Sequence, residues 1–202
     1  WLENIIEIKN KFNNALFFAA FELDHRGLEP FSKVIDLLNK VDGEYWTYTL
    51  NDKEEVVSSG NRLIRIEMGR NLIREYSQRK MVDAILYIDS DMCLTTSIIK
   101  KLFQIDRQLV GVDVPAYGLY GKQISQDPPI QEHWTTAGML LVNAPAYYDL
   151  PWGHNNNLGL SDDPAFQRLA EKLYGQTWVR KDIQAIHAGE LLSVEQRKIK
   201  NR

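Results

Sequence analysis

The chain has 202 residues, of which 44% are hydrophobic and 25% are charged, and this composition predicts one folded domain with a full core. It excludes the class of intrinsically disordered chains, which combine low hydrophobicity with high charge. The formal net charge of -3 excludes a global basic field, so any nucleic-acid contact would need a local basic patch.

The longest early apolar run, Ala15 to Phe21, is much shorter than the roughly 20 residues that a membrane-spanning helix needs. No signal-peptide pattern precedes it, so we expect a soluble, cytoplasmic protein without a membrane segment. The chain begins at Trp1 rather than Met and ends in a charged segment, 193–202, which favours a piece of a longer protein. Its single cysteine, Cys93, excludes an internal disulfide.

The first part of the chain predicts two strands with a helix between them. Residues 15–21 form an unbroken apolar run and predict a buried strand. The segment 28–40 has apolar residues at helical spacing and is followed by Asp42-Gly43, so we expect an amphipathic helix that ends there. Residues 45–50 are aromatic and β-branched, which is typical of a strand.

The segment 61–80 predicts a long helix, and it is the one strongly basic element of the sequence. An i, i+4 row of apolar side chains is expected to face the sheet, namely Ile64, Met68, Leu72 and Tyr76. Most of the basic side chains are expected to form a solvated face. Arg70, beside the small Gly69, is the expected exception, because a guanidinium near the sheet edge can bind phosphate in a forked geometry.

The apolar run 84–88 leads directly into Asp89-Ser90-Asp91. The run predicts a strand buried on both faces, whose polar tip lies at the carboxyl edge of the sheet, where open α/β sheets bind ligands. If the strand continued, Asp89 and Asp91 would point to the same side and could share one Mg²⁺ or Mn²⁺. The same residues also fit ordinary loop chemistry, in which Asp and Ser bind backbone amides and cap the next helix.

After this segment, Thr95 or Thr96 can cap a helix, and an apolar strand is predicted at 109–114. The alternation of strands and helices up to this point predicts a parallel, doubly wound sheet. Residues 115–129 have the composition of a ligand-binding loop, and 134–142 predict a further strand.

Asp162-Asp163 precede Pro164 and an apolar pattern at helical spacing, which predicts a helix beginning there. Asp163 fits an N-cap followed by proline at the first helical position, and it also fits a carboxylate facing a cleft. These two roles are compatible. Residues 178–187 predict a last strand that ends at His187, for which a structural role and a ligand role are both open.

These motifs resemble those of nucleotide-sugar glycosyltransferases of the GT-A fold, in the same order and at comparable spacings. The resemblance extends over residues 15–190 and rests on six segments, which are Arg70-Asn71, Asp89-Ser90-Asp91-Met92, Gly138 to Val142, Leu150-Pro151-Trp152, Asp162 to Phe166 and Ile186 to Gly189. It implies a Rossmann-like α/β fold with a mixed, mainly parallel sheet flanked by helices.

The resemblance also implies one GT-A catalytic domain over residues 1–202, similar to catalytic domains from viruses or from multidomain enzymes; in a virus, the location would be the cytoplasm of the host cell. The expected parts are a lead-in at 1–14, a nucleotide-sugar-binding half at 15–114, an acceptor-binding half at 115–190 and a charged tail at 191–202.

The resemblance implies a site for Mn²⁺ or Mg²⁺ at Asp89 and Asp91, with His187 as a further ligand. Ser90 and Arg70 would join these acids in binding the diphosphate of a donor such as a UDP- or GDP-sugar. Negative charge grows on the diphosphate as the glycosidic bond breaks, and the cation, aided by Arg70, would stabilise that charge.

The acidic pair is implied to act on the acceptor. In inverting members of the family the second acid is the base that deprotonates the acceptor hydroxyl, which here is Asp163, and Asp162 would bind that hydroxyl. The first acid is commonly Glu in the family, and retaining members need no such base, so inversion and retention both stay open. The implied acceptor is a glycan, a glycoprotein or a modified nucleic-acid base, and no particular oligomeric state is indicated.

Two alternatives belong to other classes. A phosphatase of the haloacid-dehalogenase type also has Asp-x-Asp after a buried strand, with the first Asp as nucleophile. It usually has Thr or Val two places after the second Asp, where this chain has Cys93. A non-catalytic nucleotide or sugar-binding domain is the other alternative, and it would bind donor with metal but neither transfer nor hydrolyse it.

Overall fold

The structure, a computed structural model, describes residues 4–49, 60–89, 92, 94–113, 130–131, 138–153, 162–175 and 178–184. The helices are Ile5–Lys11 (α1), Ser32–Lys40 (α2), Gly60–Lys80 (α3), Thr96–Phe103 (α4), Ala146–Asp149 (α5) and Asp162–Tyr174 (α6), with a 3₁₀ turn at Glu29–Phe31. The strands are Phe18–Glu22 (β1), Glu44–Tyr48 (β2), Ala84–Ile88 (β3), Leu109–Asp113 (β4), Ile130–Gln131 (β5), Met139–Asn143 (β6) and Trp178–Gln184 (β7). The fold class is mixed α/β.

Most predicted elements are confirmed within a few residues of their expected ends. The predicted strand at 84–88 coincides with β3. Thr95 caps α4, because its hydroxyl accepts a hydrogen bond of 3.3 Å from the backbone N–H of Ile98. The first part of the strand expected at 134–142 and the end of the strand expected at 178–187 lie outside the described residues.

The strands form two sheets rather than one parallel sheet. β1 and β2 pair in parallel, with Phe18 opposite Glu44. The larger sheet has the order β3-β6-β4-β7-β5. In it, β6 is antiparallel to both β3 and β4, β7 is parallel to β4, and β5 is antiparallel to β7. The larger sheet is therefore mixed, as expected, but among its described strands three of the four pairings are antiparallel, so the expectation of a mainly parallel sheet is wrong.

The difference has a topological reason. Parallel neighbours need a crossover connection, usually a helix, and the strand-helix alternation supplied such crossovers only as far as β4. The sequence between β4 and β6 predicted a loop instead of a helix. The alternation was therefore no guide to the direction of the strands that follow it.

The larger sheet is covered on both faces, as the unbroken apolar runs predicted. Met139 and Leu141 of β6 pack on one face with residues of α1 and α4. Leu140 and Val142 pack on the other face with residues of α5 and α6. All four side chains are buried, which places β6 at the centre of the core.

Helix α3 contacts both sheets. Tyr76, from the predicted apolar row, stacks on Phe18 of β1 with ring centroids 4.1 Å apart, and it meets Trp46 of β2 edge to face. The other members of the row are half-buried. A different face of α3 carries the polar side chains that reach β3 and the segment 144–153. Because α3 is packed on more than one side, its buried positions do not follow a single apolar stripe.

Strand β3 ends before the acidic segment rather than continuing through it. The last strand residue is Ile88, and the N–H of Met92 donates to the Asp89 carbonyl oxygen at 3.1 Å. The Asp89 N–H donates to the Gly138 carbonyl oxygen at 2.9 Å. Side-chain alternation applies only within a strand, and Asp89 lies beyond the last strand residue; Asp91 lies outside the described residues, so a shared side for the two acids stays a prediction.

Candidate functional site at the end of strand β3

A buried guanidinium lies beside the first acid of the Asp-Ser-Asp segment. Arg70 Nη2 is 3.4 Å from Asp89 Oδ1. The Arg70 side chain is 7% exposed, whereas that of Asp89 is 47% exposed. The pair thus joins a cation in the protein interior to a carboxylate that faces solvent. Arg70 thus lies beside the residue that follows β3, and its expected role in binding phosphate stays a prediction.

Arg70 lies on the ring of a buried tryptophan. Its Cζ atom is 4.4 Å from the centroid of the Trp152 ring, a distance at which the cation is attracted to the face of the ring. Trp152 in turn stacks on Phe166 of α6, with centroids 3.9 Å apart and an interplanar angle of 7°. Tyr87 of β3 packs edge to face against the same indole, at 5.2 Å. Arg70, Trp152 and Phe166 thus form one stack.

The main chain of Trp152 is fixed by one side chain of α3. Asn71 Nδ2 donates to the Trp152 carbonyl oxygen at 3.0 Å, and Asn71 Oδ1 accepts from the Trp152 N–H at 2.9 Å. The side-chain amide of Asn71 therefore satisfies both the N–H and the C=O of Trp152, which fixes the position of Trp152 as well as its burial. Arg70 and Asn71 are adjacent in sequence, so one turn of α3 contacts both the ring and the backbone of Trp152.

Two further side chains of α3 bind the short helix α5. Arg74 Nε donates to the Tyr147 carbonyl oxygen at 3.0 Å, and Arg74 Nη2 donates to the Tyr148 carbonyl oxygen at 2.9 Å. Gln78 Nε2 also donates to the Tyr148 carbonyl oxygen, at 3.0 Å. The expectation of a solvated basic face is therefore wrong for Arg74, which satisfies carbonyl groups at the end of a helix too short to bond them itself.

The indole N–H of Trp152 does not orient the ring. Nε1 is buried and makes no hydrogen bond in the part of the chain that the structure describes. Burial raises the pKa of Tyr87 to about 12. The nearby Trp152 N–H, which lies outside hydrogen-bond geometry, and the charges of Arg74 and Arg70 lower the same pKa. The ring is therefore held by its two faces, its edge contact with Tyr87 and its backbone.

The structure describes some of the predicted site residues and not others. Asp89 and Arg70 are brought together. Asp162 and Asp163 are the first residues of α6, which therefore begins before the predicted N-cap position, and their side chains are not among those described. The remaining predicted ligands lie outside the described residues, namely Ser90, Asp91 and His187. Across the described ranges, no group of three or more His, Cys, Asp or Glu side chains is arranged to hold a metal ion.

Sequence reasoning missed the residues that connect this site. Asn71 and Trp152 belong to segments that carried the family resemblance, but no role followed from their residue types. Phe166 was expected only as a core position of its helix. The preference of Arg for the face of Trp gives no sufficient signal, because the chain has five Trp and several Arg and residue type does not select one pair among them.

Comparisons with known proteins assign no family. No family model matches the chain, and no curated protein matches it. Among solved structures, the chain is similar to A197 from STIV, a crystal structure, with a TM-score of 0.45 and 15% sequence identity. The match covers 85% of this chain and 84% of that one. Similarity at this level assigns neither a fold family nor an activity.

Within the described ranges, every helix is either too short or too polar to cross a bilayer.

Proposed function

We propose that this chain is a metal-dependent glycosyltransferase of the GT-A fold. It transfers a hexose-type sugar from a nucleotide-diphospho-sugar, a UDP- or GDP-sugar, to a hydroxyl group of a glycan, a glycoprotein or a modified nucleic-acid base. The observation that carries the proposal is the pairing of half-exposed Asp89, directly after strand β3, with buried Arg70. The mixed sheet flanked by helices also fits the proposed fold.

Asp89, the one predicted metal ligand within the described residues, suits a hard divalent cation. Asp89 offers a carboxylate at the sheet edge with half of its surface in solvent, and oxygen ligands of this kind suit Mg²⁺ and Mn²⁺. Asp91 and His187 would complete the ligand set. The bound cation would neutralise the donor diphosphate and the charge that develops on it as the sugar leaves.

Arg70 contributes a second positive charge at the same edge. Its charge is permanent and its guanidinium is shielded from water, so its attraction for an anion is screened less than that of a surface lysine. A guanidinium can also hold two phosphate oxygens at once. Arg70 therefore binds the diphosphate in this proposal and stabilises it as a leaving group.

In this proposal the acidic pair, Asp162 and Asp163, binds and activates the acceptor. Phe166, which packs on Trp152, lies about one helical turn after Asp162 and Asp163 in α6. The first turn of this helix is thereby held near the Arg70 side of the sheet. In an inverting transfer Asp163 takes the proton of the acceptor hydroxyl as the new bond forms, and Asp162 binds the hydroxyl.

The proposal is tested by measuring release of UDP or GDP from a panel of nucleotide sugars with Mn²⁺ present. Asp91→Ala should abolish release and transfer while the fold is retained, which circular dichroism checks. Asp36→Ala is the matched control, since Asp36 is an exposed residue of α2 far along the chain from the site. Full activity in Asp91→Ala contradicts the metal assignment. Donor binding without release or transfer in the wild type would favour the non-catalytic alternative, and phosphate-ester hydrolysis the phosphatase.

A further inference from the structure

The ion pair between Arg70 and Asp89 is too long and too exposed on one side to fix the guanidinium by itself. The N···O distance of 3.4 Å is at the upper end of hydrogen-bond lengths, and Asp89 is half-exposed. An arginine side chain has several rotatable bonds, and an ion pair at the surface seldom compensates for their loss of freedom. Other contacts must therefore hold Arg70 at the sheet edge.

The Trp152 ring provides such a contact. It is 4% exposed and lies 4.4 Å from Arg70 Cζ. Stacking on a flat ring restricts the plane of the guanidinium while its N–H groups stay directed outward from the ring. The ring itself is fixed from behind by Phe166 and through its backbone by Asn71.

We infer that Trp152 is a positioning residue for donor binding, which acts by holding the Arg70 guanidinium beside Asp89. This inference rests on the proposed function, because it assigns Arg70 to the donor diphosphate. Trp152 touches neither diphosphate nor metal in this account. Its effect on ligand binding must therefore pass through Arg70, and this dependence can be measured.

The test is a double-mutant cycle on the binding of UDP or GDP together with Mn²⁺, measured by isothermal titration calorimetry. Arg70→Gln and Trp152→Leu should each weaken binding about tenfold, because each removes the positioned guanidinium. The double variant should be no weaker than Arg70→Gln, since residues that act as one unit give non-additive losses. Trp152→Phe keeps a flat ring and should recover most of the affinity.

The possible outcomes separate the inference from the proposed function. If the wild type binds neither nucleotide with Mn²⁺, the proposed function fails and the inference fails with it. If the wild type binds and the two losses multiply in the double variant, the inference alone is overturned, because Trp152 then acts independently of Arg70. Far-ultraviolet circular dichroism checks that each variant is folded; if Trp152→Leu is not, the cycle is run with Trp152→Met, which also removes the flat ring.

Discussion

Replacing Asn71 by alanine should destabilise the protein far more than an exposed asparagine does. Asn71 makes two hydrogen bonds with the main chain of Trp152, at 3.0 and 2.9 Å. Each bond contributes about 1 kcal/mol, and removing the amide also leaves a buried N–H and C=O without that partner. We therefore expect a loss of about 2 to 3 kcal/mol in the free energy of unfolding.

The matched control is Asn39→Ala. Asn39 is an exposed residue of α2, so its replacement makes the same chemical change in the same type of element. Alanine favours helix more than asparagine by about 0.5 kcal/mol, and the control should be neutral or slightly stabilised. Urea unfolding measures both variants. For a protein of this size Asn71→Ala should also lower the Tm by about 5 to 10 °C. Equal stability of the two variants would refute the role given to Asn71.

Three further predictions follow from the same contacts. Arg74→Gln should lose about 2 kcal/mol in the free energy of unfolding, measured with urea, because two carbonyl groups lose a charged donor. The control, exposed Arg79→Gln, should lose less than about 1 kcal/mol. Comparable losses would contradict the anchoring role of Arg74. The pKa of Tyr87 is raised to about 12 by burial, so its contribution to stability is complete below pH 10 and is lost as the pH rises through 12. Tyr87→Phe should therefore lose less stability than the wild type between pH 9 and 11, and identical pH profiles would contradict the assigned cause. Asp163→Asn should reduce transfer far more than donor affinity, and an equal loss of both would indicate a structural role in α6 instead.

Four strands of the larger sheet, β3, β4, β6 and β7, could be predicted from the sequence, but the two-residue strand β5 and the directions of the strands could not. Each apolar run marks a strand because a strand buried on both faces must be apolar throughout. Strand direction depends on how the chain returns to the sheet, and for β6 that return follows the segment 114–129 and β5. Local sequence carries little information on such long-range pairing. The burial of β6 on both faces is therefore visible in the sequence as a continuous apolar run, whereas its antiparallel pairing with β3 and β4 is not.

The candidate site, like the sheet, could be predicted from the sequence only in part. Arg70 could be selected from the basic residues of α3 because it adjoins Gly69 and lies at the expected sheet edge. Arg74 could not, because its partners are the main-chain carbonyl groups of Tyr147 and Tyr148, and any residue type supplies such an acceptor. The contact between Arg70 and Trp152 joins residues 82 positions apart and depends on the complete fold.

The central claim is that this chain binds a nucleotide sugar through a divalent cation, and thermal stabilisation tests it most directly. UDP, GDP and their sugar conjugates are added with and without Mn²⁺ to the wild type and to Asp91→Ala. A ligand present at 100 times its Kd adds about 2.7 kcal/mol to stability, which raises Tm by about 5 to 10 °C for a chain of this length. We predict such a shift for one nucleotide family, only with Mn²⁺ and only in the wild type. No shift with any of these ligands, or an equal shift in Asp91→Ala, would contradict the claim.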